Sequence, residues 1–469
     1  MLNKGRRTGI IWSFEDNSFT GQLEKGFEGA EVDGIRLAVK PEEIRTQLDR
    51  IRNFKAQNSS FNIPIIVDLY RIPRAVLSLG DKQLELSFGQ KLEIAREATN
   101  EGLYIETSTW EDLFEEDKTV YCGSGATFNT VSVAKDRVEL EVIQGGVIFD
   151  KTELYVPATQ KPPIFSDIPN ESWDVLESPD VDCLILPSFE SADELKKLVD
   201  RLDKAASKPW LILKVGSRAT YESLDELLPF VRGLVVSRIE LAMDMDPAQV
   251  PMLTKEIIHK CKDQTKICFV ASDMLGSMRF NPTPTRAEVS DIGNAVLDSA
   301  DAVVLSEVLT QGDFASRGFD LTHKTICDVE DSSFEMTSNW QKGQPEIKDE
   351  IHAVTYAAYR AAYRNGAKAI VCITKMGNTA IHLSCFDIET PIIAITLSSE
   401  VVRRLQLVRG VSGICLDELP SVDRVLPLIN SILVQEGQLK TGDKYVFVSV
   451  THSSISVAES NLFTIQTID

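Results

Sequence analysis

Short, unbroken apolar runs recur along the chain, separated by stretches whose apolar residues fall at helical spacing. The runs are GIIWSF (9–14), GIRLAV (34–39), PIIVDL (64–69), CLILPSF (183–189), WLILKV (210–215), GLVVSR (233–238), KICFVAS (266–272) and DAVVLSE (301–307), eight in all. Apolar residues that run on instead of alternating suit strands buried on both faces. Between them, PEEIRTQLDRIRNFKA (41–56), SADELKKLVDRLDKAA (191–206) and PAQVPMLTKEIIHKCK (247–262) predict amphipathic helices. Strand–helix alternation implies right-handed βα units and a parallel sheet, and eight units imply a closed (β/α)8 barrel.

The rhythm breaks once. The interval between the third and fourth runs is far too long for a βα loop. Within it, TVSVAKDRVELEVI (130–143) alternates and GGVIFD (145–150) reads as a turn followed by a strand, so an inserted β-rich domain is expected. After the eighth run, SSFEMTSNWQKGQPEIKDE (332–350) is polar and carries Gly and Pro, as a linker does. A βα pattern then restarts with a helix over 350–366 and strands AIVCIT (369–374), PIIAIT (391–396), GICLD (413–417) and KYVFVSV (444–450). The expected fold is therefore α/β: a TIM (β/α)8 barrel over 1–76 and 162–331, an inserted β-rich lid domain over 77–161, and a C-terminal α/β domain over 345–469.

Composition removes several function classes. A formal charge of −21 disfavours nucleic acid as a partner. No apolar stretch reaches the ~18 residues of a membrane helix, and MLNKGRRTG lacks the apolar part of a signal peptide, so a cytoplasmic protein is expected. The 8 cysteines form no CxxC pair and the 5 histidines are dispersed, which argues against a disulfide frame and a His-based metal centre.

In such a barrel the chemistry gathers at the carboxyl ends of the strands. Those ends carry Arg36, Asp68, Lys214, Arg238 with Glu240, Ser272, and Ser306 with Glu307. Cations, carboxylates and hydroxyls converging on one rim suit an anionic substrate with a divalent cation.

NPTPTRAEVSDIGNAVLDSADAVVLS (281–306), with VASDMLGSM (270–278) before it, resembles the signature region of pyruvate kinase. VPMLTKEIIHKC (250–261), SADEL (191–195) and VVRRLQLVRGV (401–411) extend the resemblance over nearly the whole chain. It implies the family's barrel, inserted lid and C-terminal regulatory domain, and transfer of the phosphoryl group of phosphoenolpyruvate to ADP with divalent and monovalent cations. On that resemblance Lys214 matches the lysine that stabilises charge on the moving phosphoryl group. Arg36 and Arg238 match substrate-binding arginines, and Asp68 matches a monovalent-cation ligand. Glu240 stands for the divalent-metal aspartate, and Ser272 for a substrate-contacting threonine.

The departures cluster around ions and nucleotide. The family's metal-binding glutamate, two residues after its lysine, is here Gly216. Its Arg-Gly-Asp is SRIEL (237–241), its RLNFSHG is RLAVKPE (36–42), and its DTKGPEIRT is DLYRIPRAV (68–76). Ala38, Lys40 and Leu69 thereby remove oxygen ligands of the monovalent ion, and Pro41 replaces a nucleotide-side histidine. Mg2+ binding is expected to be weak or absent. For K+, Lys40 either supplies a substitute charge or is a solvated lysine in the next helix. In the last domain TKMGNTA (374–380) resembles the family's phosphate-binding effector loop, keeping Thr374, Gly377 and Thr379 but placing Met376 at a hydroxyl position. An ordinary strand-to-helix turn is the other reading of that loop.

Together these features predict a pyruvate kinase paralogue with impaired catalysis, acting as a structural or regulatory subunit of a homo-oligomer or of a hetero-oligomer with active paralogues. The family assembles as a tetramer. The rival readings are an active, potassium-independent enzyme and a non-catalytic sensor of a phosphorylated ligand. Phosphoenolpyruvate and ADP are the expected ligands if activity remains, with no nucleic-acid or membrane partner. Gly216→Glu is the substitution that addresses the missing acid.

Overall fold

The computed structural model describes residues 5–15, 32–39, 44–57, 62–69, 74–79, 83–96, 103–106, 114–122, 126–149, 152–155, 173, 176–189, 191–205, 207–271, 274–279, 281–305, 314–332, 347–418, 422–450 and 461–468. Eight parallel strands close a barrel in the order β1-β17-β16-β15-β14-β13-β3-β2. They are β1 (Gly9–Glu15), β2 (Gly34–Val39), β3 (Ile65–Leu69), β13 (Cys183–Leu186), β14 (Trp210–Val215), β15 (Gly233–Ser237), β16 (Ile267–Ala271) and β17 (Ala302–Val304). Every residue of β3, β13, β14, β15, β16 and β17 is buried, which is why these runs do not alternate. The strands are shorter than their apolar runs: β17 keeps only AVV, because the residues flanking it serve the rims.

Helices pack outside. Ile44–Gln57, Ala192–Leu202 and Val250–Asp263 fall on the expected amphipathic segments and bury Leu48, Leu195 and Ile257 among others. The helix Arg286–Leu297 opens with a capping box: Glu288 N–H donates to Thr285 Oγ1 at 3.3 Å, and Thr285 N–H donates to Glu288 Oε2 at 2.8 Å.

The inserted unit, Tyr70–Ile164 with Ala242–Pro247, has its own core. Its strands are β4 (Arg74–Ser78), β5 (Gln83–Leu86), β6 (Lys91–Ala95), β7 (Tyr104–Glu106), β8 (Thr119–Cys122), β9 (Thr127–Val133), β10 (Arg137–Gln144), β11 (Gly146–Phe149) and β12 (Thr152–Tyr155). Seven of them close a second barrel in the order β10-β6-β7-β4-β12-β8-β9, and β11 pairs with β5. Here alternation does appear. On β10 the buried positions Val138, Leu140 and Val142 interleave with half-buried Glu139 and Glu141.

The C-terminal region builds a sheet in the order β20-β19-β18-β21-β22, from β18 (Ala369–Ile373), β19 (Ile392–Thr396), β20 (Val411–Cys415), β21 (Lys444–Ser449) and β22 (Leu462–Thr467). Only the β21–β22 pair is antiparallel. The helix Ser399–Leu405 and strand β22 were not expected from the pattern. Among the described residues, no helix is long and apolar enough to cross a membrane.

A repeated device ties the amino-terminal rim of the main barrel. Asp33, Asp182 and Asp301 each immediately precede a strand, and each accepts an N–H from the neighbouring strand's side: Ile10 at 2.8 Å, Ile65 at 3.0 Å and Cys268 at 2.8 Å. Each is buried and each meets a cation: Arg6 at Asp33, Arg403 at Asp182, Lys262 at Asp301. Arg403 belongs to the C-terminal region, so the rim device also docks that region on the barrel. The opposite rim is left for chemistry.

Candidate active site

Strand geometry brings four of the expected side chains to the carboxyl rim. Ser13 on β1 stands opposite Arg36 on β2, and Ala38 stands opposite Asp68 on β3. Lys214 lies one residue before the end of β14 and is buried, and Glu240 falls in the first turn of the helix Arg238–Asp244 that follows β15.

These residues form one charge network. The Arg36 guanidinium donates Nε and Nη2 to Asp68 Oδ2 at 2.8 and 2.6 Å, and Nη1 to Ser13 Oγ at 3.2 Å. Lys214 Nζ lies 3.3 Å from Asp68 Oδ1 and 3.6 Å from Glu240 Oε1. Burial pushes the Asp68 carboxyl up, but Lys214 and Arg36 outweigh it and hold the group below its ordinary value. Two cations and two carboxylates thus neutralise one another in a site that excludes most water.

Gly216 explains why Glu240 sits where it does. A Cβ built on Gly216 would lie 2.2 Å from Glu240 Oε2, 2.8 Å from its Cβ and 3.1 Å from its Cδ. The longer side chain at 240 fills the volume that a side chain at 216 would take. Gly216→Glu by itself therefore collides with Glu240, and the simple repair suggested by the sequence is not available in this fold.

Arg238 is engaged elsewhere: its Nη1 pairs with Asp291 Oδ2 at 2.9 Å, on the helix Arg286–Leu297. Ala38 and Leu69 are buried and offer hydrocarbon, consistent with the expected loss of monovalent-ion ligands there. Lys40, Pro41, Ser272, Ser306 and Glu307 lie outside the described residues. Among the described residues no group of three or more His, Cys, Asp or Glu could hold a metal ion. Divalent cations of this class want several oxygen ligands. Glu240 is one carboxylate already facing an ammonium, and both oxygens of Asp68 face cations. Among the described residues the donor set does not fit a divalent cation.

The loop 374–380 forms a turn tied to the barrel's amino-terminal end. Thr374 Oγ1 accepts the Gly377 N–H at 3.0 Å, Gly377 adopts φ +87°, and Asn378 Oδ1 accepts Arg232 Nη1 at 2.6 Å. Thr379 is buried. The Thr374 hydroxyl is thus used by the turn itself, and the helix that follows spans only Asn378–Ser384. A cleft of about 940 Å3 is lined by Arg6, Arg7, Asp33, Glu330, Glu389 and Gln406, among others. It lies at the amino-terminal rim, away from Lys214.

Sequence reasoning missed Ser13 as a partner of Arg36, Asp291 as a partner of Arg238, and the three rim aspartates. The last left a signal: VDGIRL, VDCLIL and ADAVVL place Asp at the same offset before a buried run.

Comparison with known proteins agrees along the chain. The family model described as pyruvate kinase, barrel domain, matches residues 29–318, and pyruvate kinase, alpha/beta domain, matches residues 352–465. Pyruvate kinase of Schizosaccharomyces pombe is 26% identical over 435 residues, covering 89% of this chain and 85% of that protein. Pyruvate kinase of Candida albicans is 28% identical over 362 residues, covering 74% and 71% respectively. Plastidial pyruvate kinase 2 of Arabidopsis thaliana is 26% identical over 410 residues, covering 86% and 70%.

Proposed function

The chain belongs to the pyruvate kinase family, and we propose that this member transfers the phosphoryl group of phosphoenolpyruvate to ADP slowly at best. Its main role is then as a structural or regulatory subunit, alone or beside active paralogues. The observation that carries this reading is the closed charge network at the barrel mouth. The family normally uses Mg2+ and K+, whereas here Lys214 Nζ is held between Asp68 and Glu240, and Gly216 supplies no side chain.

In-line phosphoryl transfer depends on positioning and on stabilising charge at the moving group. Lys214 is the residue best placed for that work, but to serve it must exchange two carboxylates for a phosphoryl oxygen. Arg36 must likewise leave Asp68 or share it. Each exchange gives up an existing ion-pair contact, so a phosphoryl oxygen must out-compete a carboxylate for the cation. A cytoplasmic location and a tetramer complete the reading by analogy.

A coupled assay with Mg2+ or Mn2+, with and without K+, tests it. Turnover below about 0.1 s−1 under every condition is expected. A rate of about 10 s−1 or more, the median for enzymes generally, would overturn it.

A further inference from the structure

We infer that Gly216 and Glu240 form one reciprocal pair, and that this pair makes the Lys214 ammonium, not a divalent cation, the resident counter-charge of the barrel mouth. Only the expectation of a metal rests on the reading above; the pairing rests on geometry. The two residues stand 24 positions apart (240 − 216) and on different elements, yet they compete for the same volume. The 2.2 Å approach to Oε2 and the 3.1 Å approach to Cδ belong to the length of the glutamate and vanish with aspartate, whereas the 2.8 Å approach to Cβ remains and needs a small shift of the helix Arg238–Asp244. Position 216 can thus be small while 240 is long, or the reverse with adjustment, but not large beside a glutamate.

The exchange changes the charge count. It leaves one carboxylate where two side chains would bring two. That carboxylate faces Lys214 Nζ at 3.6 Å, and Asp68 Oδ1 faces the same nitrogen at 3.3 Å. The Lys214 ammonium and the Arg36 guanidinium together balance the two carboxylates, and they repel any divalent ion that approaches. Such an ion also needs oxygen ligands at about 2.0–2.6 Å, and here the carboxylates that could supply them already face cations. The site accordingly takes an anionic ligand, if it takes one, without a bridging metal.

Two measurements on the full chain test this, and neither uses catalytic activity. The first titrates Mn2+ and reads the free ion by electron paramagnetic resonance. Gly216→Glu/Glu240→Asp, which lengthens one position and shortens the other, should bind Mn2+ at least about tenfold more tightly than wild type. Each single variant should stay within about twofold of wild type. Wild-type binding as tight as that of the double variant overturns the inference, as does Gly216→Glu alone matching the double.

The second is a thermal-melting cycle that carries no metal. Gly216→Ala should lower Tm in the wild-type background and lower it by less than half as much in a Glu240→Gly background, where all three close contacts are gone. Equal losses in both backgrounds overturn the pairing. Turnover in the coupled assay would count against the proposed function and leave both of these results standing.

Discussion

Arg409 of the C-terminal region donates its backbone N–H to Asp301 Oδ1 at 3.0 Å, at the foot of the barrel. The other oxygen, Oδ2, takes the Lys262 ammonium and the Cys268 N–H, both at 2.8 Å. One buried carboxylate therefore joins a strand, the helix Val250–Asp263 and the C-terminal region. Removing it by Asp301→Ala leaves Lys262 buried without its partner, and such a loss costs about 3–5 kcal/mol. Asp301→Asn keeps a single acceptor oxygen, so its amide N–H2 must face either Arg409 N–H or the Lys262 and Cys268 donors, and it should also cost about 1–3 kcal/mol. Urea unfolding midpoints at unchanged m-value measure both. A loss under about 1 kcal/mol for the alanine variant would mean that this junction is not what holds the two regions together.

The strands were legible because burial on both faces writes itself as unbroken apolar sequence: GIRLAV and WLILKV are β2 and β14 residue for residue. Strand β17 was overread, because Asp301 before it and Leu305 after it belong to the rims although they continue the run. The helix Ser399–Leu405 was missed because it is only seven residues long, too short to show a clear periodicity. At the site, Lys214, Asp68, Arg36 and Glu240 were legible one by one as charged residues ending buried strands. Their mutual pairing was not. Nothing in a linear string says that the space left by Gly216 is filled from position 240, because that depends on how β14 and β15 carry their loops to the same point.

Acid should weaken the fold as carboxyls held below their ordinary value are forced to protonate. Asp68 is buried and Asp387 partly buried, and both are held below the ordinary 3.8. At Asp387 burial raises the group, but Arg409, at 3.0 Å, and the Ser299 hydroxyl, at 2.5 Å, outweigh it. A carboxyl whose folded value lies below its unfolded value stabilises the fold above about pH 4 and loses that contribution as pH falls through the folded value. Tm should therefore hold from pH 7 to about 5 and fall steeply below 4. Asp387→Asn should lower Tm at pH 7 and flatten the acid limb. Asparagine tolerates the left-handed backbone found there, φ +48°. An acid limb of unchanged slope in the variant would remove Asp387 from this account.

The alkaline limb has a different cause. Burial raises the thiols of Cys183, Cys261, Cys372 and Cys385, with Cys372 and Cys385 pushed up to about 12 from an ordinary 9.0. A group whose folded value is raised contributes stability that is present below the unfolded value and lost as pH climbs above it. In the unfolded chain each thiol ionises near pH 9, so each removes about 1.4 kcal/mol of stability per pH unit beyond that point. Unfolding free energy should fall sharply between pH 9 and 10.5. Cys372→Ala should lower stability at pH 7 through its cavity but make the alkaline slope shallower by one thiol's share. A slope that does not change would show that Cys372 is already ionised in the fold.

Gly377 and Gly366 both adopt a left-handed backbone, φ +87° and +62°, but their surroundings differ. A Cβ at Gly366, which ends the helix Glu350–Asn365, would meet nothing within 4 Å. A Cβ at Gly377 would lie 3.2 Å from Leu405 Cδ2 and 3.3 Å from Trp210 Cζ2, an indole buried in the barrel's foot. Left-handed geometry alone costs an L-residue about 1–2 kcal/mol. Gly366→Ala should show that cost and little more. Gly377→Ala must also displace Leu405 or the Trp210 ring, and overpacking of this kind adds about 1–3 kcal/mol. The difference between the two variants in urea unfolding isolates the packing contribution, and a shift in Trp210 fluorescence should accompany only Gly377→Ala. If the two substitutions cost the same and the fluorescence does not move, the turn at 374–380 is not pressed against the barrel, and its Thr374 and Thr379 would again be candidates for an anion.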